Sequence, residues 1–409
     1  MKARVFIYMH YMELGGAERA LLGLLNALDS DRVDVDLFLN QHTGAFMNLI
    51  PDKVNLLPER KGYNAIERPL VQALKEGQFK IALARLKARR EHGKYYKTLS
   101  DDIKMQDSSV FQYVMDAVTP RLTSLEDLGE YDLAISFLQP HNIVLGKVRA
   151  KKKICWIHTD YSTVHIHAQQ ELKVWGQYDH IVSISEDCTT AFLKIFPSLE
   201  RKIMLIENIL SPHFVREQAN LDSAHELRVP GGVVKLVSVG RISHAKNYDN
   251  VPHVARQLKA RGLKFKWFIV GPGSHSAIDK TLEETGTGDV VEFLGARSNP
   301  YPYIKAADIY IQPSRYEGKS VTVREAQMLC RPVIITNYAT ATSQVNDGAD
   351  GIICPMENSG IAHAIWELVH DEVRRESLSS YCQSRDFGNE NEVNKIYQLI
   401  ESTTSSEPN

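Results

Sequence analysis

The chain has 409 residues, of which 43% are hydrophobic and 24% charged, and 48 Lys plus Arg against 50 Asp plus Glu leave a net charge of -2. At ~150 residues per domain this length predicts two or three domains, each with its own core, and the composition excludes disordered, collagenous and fibrous chains. The absence of a bulk positive charge excludes attraction to nucleic acid as the working principle, so no nucleic-acid partner is expected.

Apolar runs such as Val5–Met9 and Trp267–Val270 fall far short of the ~20 residues that span a bilayer, and Glu13 and Glu18 follow too soon for a signal peptide. A cytoplasmic protein is expected. Cys155, Cys188, Cys330, Cys354 and Cys382 are odd in number and widely spaced, without a C-x-x-C, which predicts reduced thiols buried as small apolar residues.

Short apolar runs alternate with helical patterns almost from end to end, as in βαβ units around parallel sheets, so the fold class is α/β. The first series predicts strands at Val5–Met9, Val33–Leu39, Leu133–Phe137, Ile154–His158, Ile181–Ser185 and Ile203–Ile206, with helices such as Ala17–Leu28 and Glu186–Ile195 between them. A second series predicts strands at Leu236–Val239, Phe265–Val270, Val290–Leu294, Ile309–Gln312, Val333–Thr336 and Gly351–Cys354. Between the series, 211–232 carries Ser-Pro, Pro-Gly-Gly and scattered charge without periodicity, the composition of a linker. The expected domains are therefore 1–210, the linker 211–232, and 233–385, with 386–409 as a final helix and short tail. Two doubly wound domains place their ligand-binding loops at the carboxyl ends of their strands, facing a shared cleft.

The segment 60–104 departs from the alternation. Lys75, Lys80, Arg85, Lys87, Arg89, Arg90, Lys94 and Lys97 are opposed only by Glu76 and Glu91, and Phe79, Leu83 and Leu86 share one helical face. Two readings stand side by side: an anionic membrane surface met through 75–97, or a helix docked on the protein with a solvated basic face.

Three constellations carry candidate chemistry. Gly15-Gly16-Ala17-Glu18 follows the first strand and opens a helix, where close backbone approach and free N–H groups favour an anion, without the spacing of a dinucleotide fingerprint. Gly240-Arg241 through Lys246-Asn247 follows the first strand of the second series, so that Arg241 as a planar fork and Lys246 as a point charge can converge on one diphosphate. In Glu317-Gly318-Lys319-Ser320-Val321-Thr322-Val323-Arg324-Glu325 the two glutamates are separated by seven residues, backbone N–H groups of 318–322 point out at a helix start, and Glu325 suits a pair of ribose hydroxyls. No clustered carboxylates or paired histidines at metal spacing appear, so neither metal nor cofactor is expected.

Together, in this order, the three motifs resemble a retaining nucleotide-sugar glycosyltransferase of family GT4 (glycosyltransferase group 1), with the GT-B fold. The resemblance implies two Rossmann-like domains facing across a cleft, the donor held mainly by the second, the acceptor mainly by the first, and a last helix crossing back to the first domain. It implies that Arg241 and Lys246 bind the donor diphosphate, Glu325 the ribose, and Glu317 with the 318–320 backbone the donor sugar. Gly15 and Gly16 then form the loop that closes on phosphate and sugar. His158 matches the family's cleft histidine, and Arg297 falls where a base-contacting loop lies. Lys319 and Ser320 replace an aromatic residue and a second glycine, so a turn needing positive φ at Ser320 would be strained. The implied reaction moves a hexosyl group, from a UDP-sugar by family frequency, to a saccharide or lipid-linked acceptor with retention. The basic amphipathic stretch 75–97, taken with this reaction, points to a lipid-linked saccharide at the inner face of the membrane, as in capsule or lipopolysaccharide synthesis. A non-catalytic GT-B scaffold subunit and a sugar-nucleotide epimerase are the alternatives.

Overall fold

The computed structural model describes residues 2–13, 15–159, 161–317 and 320–404. The chain divides into two units, 1–209 with 389–409, and 210–388.

The sheet of the first unit is built from β1 (Ala3–Met9), β2 (Val33–Leu39), β3 (Asn55–Leu56), β4 (Glu130–Ser136), β5 (Arg149–Ile157), β6 (His180–Ser183) and β7 (Ile203–Leu205). All its pairings are parallel, in the order β3-β2-β1-β4-β5-β6-β7. Only the two-residue edge strand β3 has no counterpart among the predicted strands, being too short to show a pattern. Side chains alternate across the sheet: Val5, Ile7 and Met9 enter one core, and Phe6 and Tyr8 the other. On the first face lies α1 (Gly16–Ala27), with Leu21, Leu22, Leu24 and Leu25 buried. On the second lie α2 (Leu70–Lys75), α3 (Phe79–Tyr96) and, after the short α4 (Asp101–Lys104), α5 (Val110–Val118).

The second unit repeats the plan with β8 (Val234–Val239), β9 (Phe265–Val270), β10 (Val291–Gly295), β11 (Ile309–Gln312), β12 (Val333–Thr336) and β13 (Ile352–Cys354), all parallel, in the order β10-β9-β8-β11-β12-β13. Strand order reverses between β1 and β4 in one sheet and between β8 and β11 in the other, and α/β sheets bind their ligands outside strand carboxyl ends at such points.

Residues 211–232, expected as a linker, fold onto the second unit instead. Ser211 caps the helix Pro212–Gln218 by accepting from the Phe214 N–H at 3.3 Å, and Val215, Ala219, Ala224 and Leu227 are buried in the core of that unit. The segment is too short and too interrupted by turn residues to show its periodicity, although Val215 and Ala219 lie one turn apart.

The basic segment is also turned differently from its sequence pattern. α3 buries Ile81, Ala82, Ala84, Arg85 and Ala88, while Phe79, Leu83 and Leu86 are 64%, 69% and 50% exposed. Small side chains face inward because α3 packs closely on α5, so the larger apolar stripe is left outside. Of the cysteines, all free, Cys155, Cys354 and Cys382 are buried as expected, but Cys188 and Cys330 are only half-buried.

The final helix, Val393–Thr404, belongs to the first unit. Val393, Ile396, Leu399 and Ile400 join the α1 side of the core, the Tyr397 hydroxyl accepts from the Asp29 N–H at 2.8 Å, and the Arg32 guanidinium lies 3.6 Å above the Tyr397 ring. Truncating Ile396 to Ala leaves a void at this seam and is expected to lower the stability of the first unit by about 2–5 kcal/mol, measured by urea denaturation.

Candidate active site

In the second unit the loops after β8 and β11 meet. Lys246 lies 2.5 Å through Nζ from Glu317 Oε1, which also accepts from Ser314 Oγ at 2.6 Å and Gln312 Nε2 at 3.0 Å. All three donors converge on one carboxylate oxygen, fixing Glu317 and using one of the three ammonium protons of Lys246. Arg241, at the start of the same loop, is exposed and makes no side-chain hydrogen bond among the described residues. The loop turns at Asn247, which is buried with a left-handed backbone (φ 60), a conformation asparagine tolerates. It is held closely by the next strand's loop: a Cβ at Gly271 (φ +154) would stand 2.0 Å from the Gly240 carbonyl oxygen. Arg315 locks the other side, donating to both Asp249 oxygens at 2.8 and 2.6 Å and to the His244 carbonyl.

Glu325, on the inward side of the helix Val321–Met328, is fully buried and accepts from the Tyr301 hydroxyl at 2.9 Å. A buried relay connects its surroundings to Glu317: Tyr310 and Thr322 donate to Gln312 Oε1 at 2.7 and 3.3 Å, and Gln312 donates onward to Glu317. Burial above all, with the charges of Glu325 and Glu317 nearby, keeps the Tyr310 hydroxyl protonated well beyond its ordinary range. Gly318 and Lys319 lie outside the described residues. Ser320 caps the helix in extended conformation (φ -72), so the strain expected at that position is absent, and Val321 and Thr322 open the first turn half-buried. Arg297 sits in a separate cluster, donating through Nε to the Tyr303 hydroxyl at 3.0 Å and through Nη2 to Glu226 at 3.3 Å.

In the first unit, Gly15 caps α1 in extended conformation (φ -147) and a Cβ there would meet the Glu18 carboxylate. Gly16 begins the helix without a positive φ, and a Cβ there would meet no atom within 4 Å, so packing within the chain does not require glycine at this position. His158, just past β5, packs on the Phe137 ring at 4.7 Å and stacks on Trp156. Its packed surroundings lower its pKa to about 3, which favours the neutral imidazole.

Sequence reasoning missed a cavity of about 820 Å³ beside these loops, lined from β1's end by His10, Tyr11 and Glu13 and from elsewhere by Glu67, Arg85, Arg89, Gln139, Thr159 and Glu171, with an apolar wall from α5. His10 Nδ1 and Glu67 Oε1 are 2.7 Å apart. Glu171 Oε2 accepts from Gln139, Tyr161 and Trp175 at 3.0 to 3.2 Å, yet burial prevails over these bonds and raises its pKa to about 7. Of its lining, the sequence points to Arg85 and Arg89 only as part of a basic helix and to Glu13 only as an early charge; their partners lie far along the chain. Among the described residues no group of three or more His, Cys, Asp or Glu is placed to hold a metal ion, and no helix is long and apolar enough to cross a membrane.

Residues 222–385 match the family described as glycosyl transferases group 1. The chain is 23% identical over 268 residues to an uncharacterized 41.2 kDa protein in the cps region of Klebsiella pneumoniae, covering 63% of this chain and 73% of that one. It is 29% identical over 165 residues to the putative colanic acid biosynthesis glycosyltransferase WcaL of Salmonella typhimurium, covering 38% of this chain and 40% of that one. The crystal structure of Anabaena Alr3699/HepE in complex with UDP and glucose aligns over 99% of this chain and 100% of that chain, with a TM-score of 0.65 at 17% identity. The fold class is thereby GT-B, two parallel-sheet Rossmann-like units.

Glu171 gives a test of the cavity's electrostatics. Its folded pKa of about 7 lies above the ordinary 4.5, so ionisation costs the folded state stability as pH rises through that window. Glu171→Gln removes the charge without changing the shape. The variant is expected to gain on the parent from pH 4.5 to 7 and to lead by on the order of 2–3 kcal/mol at pH 8, measured by denaturation across pH.

Proposed function

With residues 222–385 a glycosyl transferases group 1 domain, we propose that this chain transfers a hexosyl group from a nucleoside diphosphate sugar to a saccharide or lipid-linked acceptor, with retention of configuration, in cell-surface polysaccharide synthesis. The observation that carries this reading is the Lys246–Glu317 pair at the strand-order reversal of the second sheet, with the unpaired Arg241 on the same loop. Two cations at that position neutralise a diphosphate as it leaves, which is the largest charge the transfer develops, so no metal ion is assigned to the step. Glu317, its carboxylate immobilised by three donors, holds the donor sugar together with Ser320 and the helix start. The ribose is assigned to Glu325, exchanging the Tyr301 hydroxyl for ribose hydroxyls.

Retention by a front-face route needs no protein base, because the departing diphosphate takes the acceptor's proton. The protein then contributes orientation and charge stabilisation. The neutral imidazole of His158 fits a contact role in that scheme. UDP is favoured as the nucleotide because the Anabaena neighbour was solved with UDP and glucose, and a capsule or colanic acid setting because of the cps-region and WcaL relatives.

Peripheral attachment to the inner face of the membrane through 75–97 belongs to the same reading. Phe79, Leu83 and Leu86 stand exposed on a helix whose other outward residues include Lys80, Lys87 and Arg90. An apolar stripe flanked by cations suits an anionic lipid surface, where each nearby Lys or Arg contributes about 1 kcal/mol.

Equilibrium titration with UDP, GDP and ADP tests the donor site. One of the three, UDP first, is expected to bind near ~1 μM, and Glu325→Ala to abolish this. In a transfer assay Arg241→Ala and Lys246→Ala are each expected to cut turnover at least about 100-fold while leaving the fold intact. Absence of binding by all three nucleotides would overturn the reading in favour of a scaffold subunit. For the membrane contact, co-sedimentation with phosphatidylglycerol-containing vesicles should be salt-sensitive and lost in Leu83→Asp, with pure phosphatidylcholine vesicles left unbound.

A further inference from the structure

The loop that carries Glu317 is held by the stretch that follows β12. Thr336, at the end of that strand, donates through Oγ1 to the Ser314 carbonyl. Thr340 donates through Oγ1 to the Glu317 carbonyl at 2.9 Å, and Gln344 donates through Nε2 to the Ser320 carbonyl at 3.2 Å. Donors one helical turn apart in sequence thus meet carbonyls spaced more closely, in the same order along both segments. Thr340 and Gln344 grip the chain on either side of Gly318 and Lys319.

A peptide whose carbonyl is turned one way directs its N–H the other, because the unit is planar and trans. With the Ser314 carbonyl on Thr336, the Arg315 N–H points across to the Ala245 carbonyl at 2.8 Å, on the Lys246 loop. By the same rule the Ser320 carbonyl, held by Gln344, directs the Val321 N–H away from 336–344 at the start of the helix Val321–Met328. The side chains of 336–344 thereby set which way peptides of the Glu317 loop face.

The stretch is itself anchored. Tyr338, Ala341 and Val345 are buried in the core of the second unit. The Tyr338 hydroxyl donates to Gln344 Oε1 at 2.7 Å, and burial, then the Glu317 charge, keep that hydroxyl protonated. With Oε1 so engaged, the Gln344 amide turns its NH2 to Ser320, and its orientation is fixed. Gln327, fully buried on the same helix as Glu325, donates to the Gln344 carbonyl at 3.4 Å.

We propose that Thr340 and Gln344 are positioning residues for the donor sugar: they set the backbone on both sides of Gly318 and Lys319, and through it Glu317 and Ser320. The proposal rests on the glycosyltransferase reading of this site and separates its two halves. Nucleotide and diphosphate are assigned to Glu325, Arg241 and Lys246, whereas the sugar depends on the backbone that Thr340 and Gln344 hold.

Calorimetric titration of the full chain with UDP and GDP, and with UDP-glucose, UDP-galactose, UDP-N-acetylglucosamine and GDP-mannose, tests this. Thr340→Val keeps the shape and removes the hydroxyl; Thr340→Ser keeps the hydroxyl and removes the methyl. Thr340→Val is expected to weaken binding of the sugar nucleotide that the wild type takes by about fivefold or more, with the bare nucleotide changed by less than about twofold. Thr340→Ser should return the sugar-nucleotide affinity to within about twofold of wild type. Gln344→Glu, which when ionised opposes an acceptor to the Ser320 carbonyl, should show the same split as Thr340→Val. Thr340 is half-buried, so its two variants decide the matter if Gln344→Glu does not fold. Equal loss of bare and sugar nucleotide in Thr340→Val, as a merely structural role would give, overturns the proposal. Unchanged sugar-nucleotide affinity, a Thr340→Ser as weak as Thr340→Val, or a wild type that binds UDP or GDP but none of the sugar nucleotides does so too. In those cases the bound nucleotide leaves the donor reading standing, whereas absence of all nucleotide binding removes that reading and the proposal with it.

Discussion

Parallel pairing around a central strand is the constraint on which the remainder of this structure depends. In each sheet the chain starts in the middle, builds outward on one side, then returns and builds on the other, so the loops leaving β1 and β4, and those leaving β8 and β11, turn away from each other. Each reversal opens a gap at the strand ends. Loops there reach across to one another, as where the Arg315 N–H donates to the Ala245 carbonyl at 2.8 Å and the Ile242 N–H to the Pro272 carbonyl at 2.8 Å. The His10–Gly16 segment, the Gly240–Asn247 loop and the Glu317–Glu325 segment all fall at such gaps, which is why residues far apart in sequence meet there.

Within the second gap, a single oxygen organises the charges. Glu317 Oε1 receives an ammonium, a hydroxyl and an amide proton, and the amide is itself held by the buried Tyr310 and Thr322. Such a network has one low-energy arrangement, because rotating any member strands a buried donor or acceptor. Lys246 is therefore held in place before any ligand arrives, and charge stabilisation costs little reorganisation. Arg241 is the contrast: exposed, and without a side-chain hydrogen bond among the described residues, it is not held by this network.

Legibility in the sequence followed the range of the interactions. Strands buried on both faces appear as apolar runs and β2 as an alternation of Val and Asp, and β2, β9, β11 and β12 have the bounds expected of them. The Arg241, Lys246, Glu317 and Glu325 spacings were also legible, because each motif lies within one loop and its following helix. Residues 211–232 misled because Pro and Gly punctuation hid a two-turn helix whose apolar partners come from elsewhere in the second unit. α3 misled for a related reason. Its largest apolar residues form a stripe, but close packing on α5 selected the alanine face and a buried arginine instead. The Arg85, Glu67 and Glu171 cavity was invisible because its lining comes from many separated segments between residues 10 and 171, and the one pattern among them, the basic run of α3, does not indicate which of its arginines turn inward.

The path of the chain has a consequence for its synthesis. The segment 210–388 is an insertion within the first unit, whose last helix arrives only with residues 393–404. Emerging from the ribosome in order, the first 209 residues expose the face of β4 and β5 on which the last helix, with Ile396 and Ile400, later packs. The second unit has all of its residues before that cover is made and can complete its core first. For the whole of that interval the nascent first unit presents an unsealed apolar face, so the last helix acts as the latch of co-translational folding, and chains released before it are the ones that chaperones must hold.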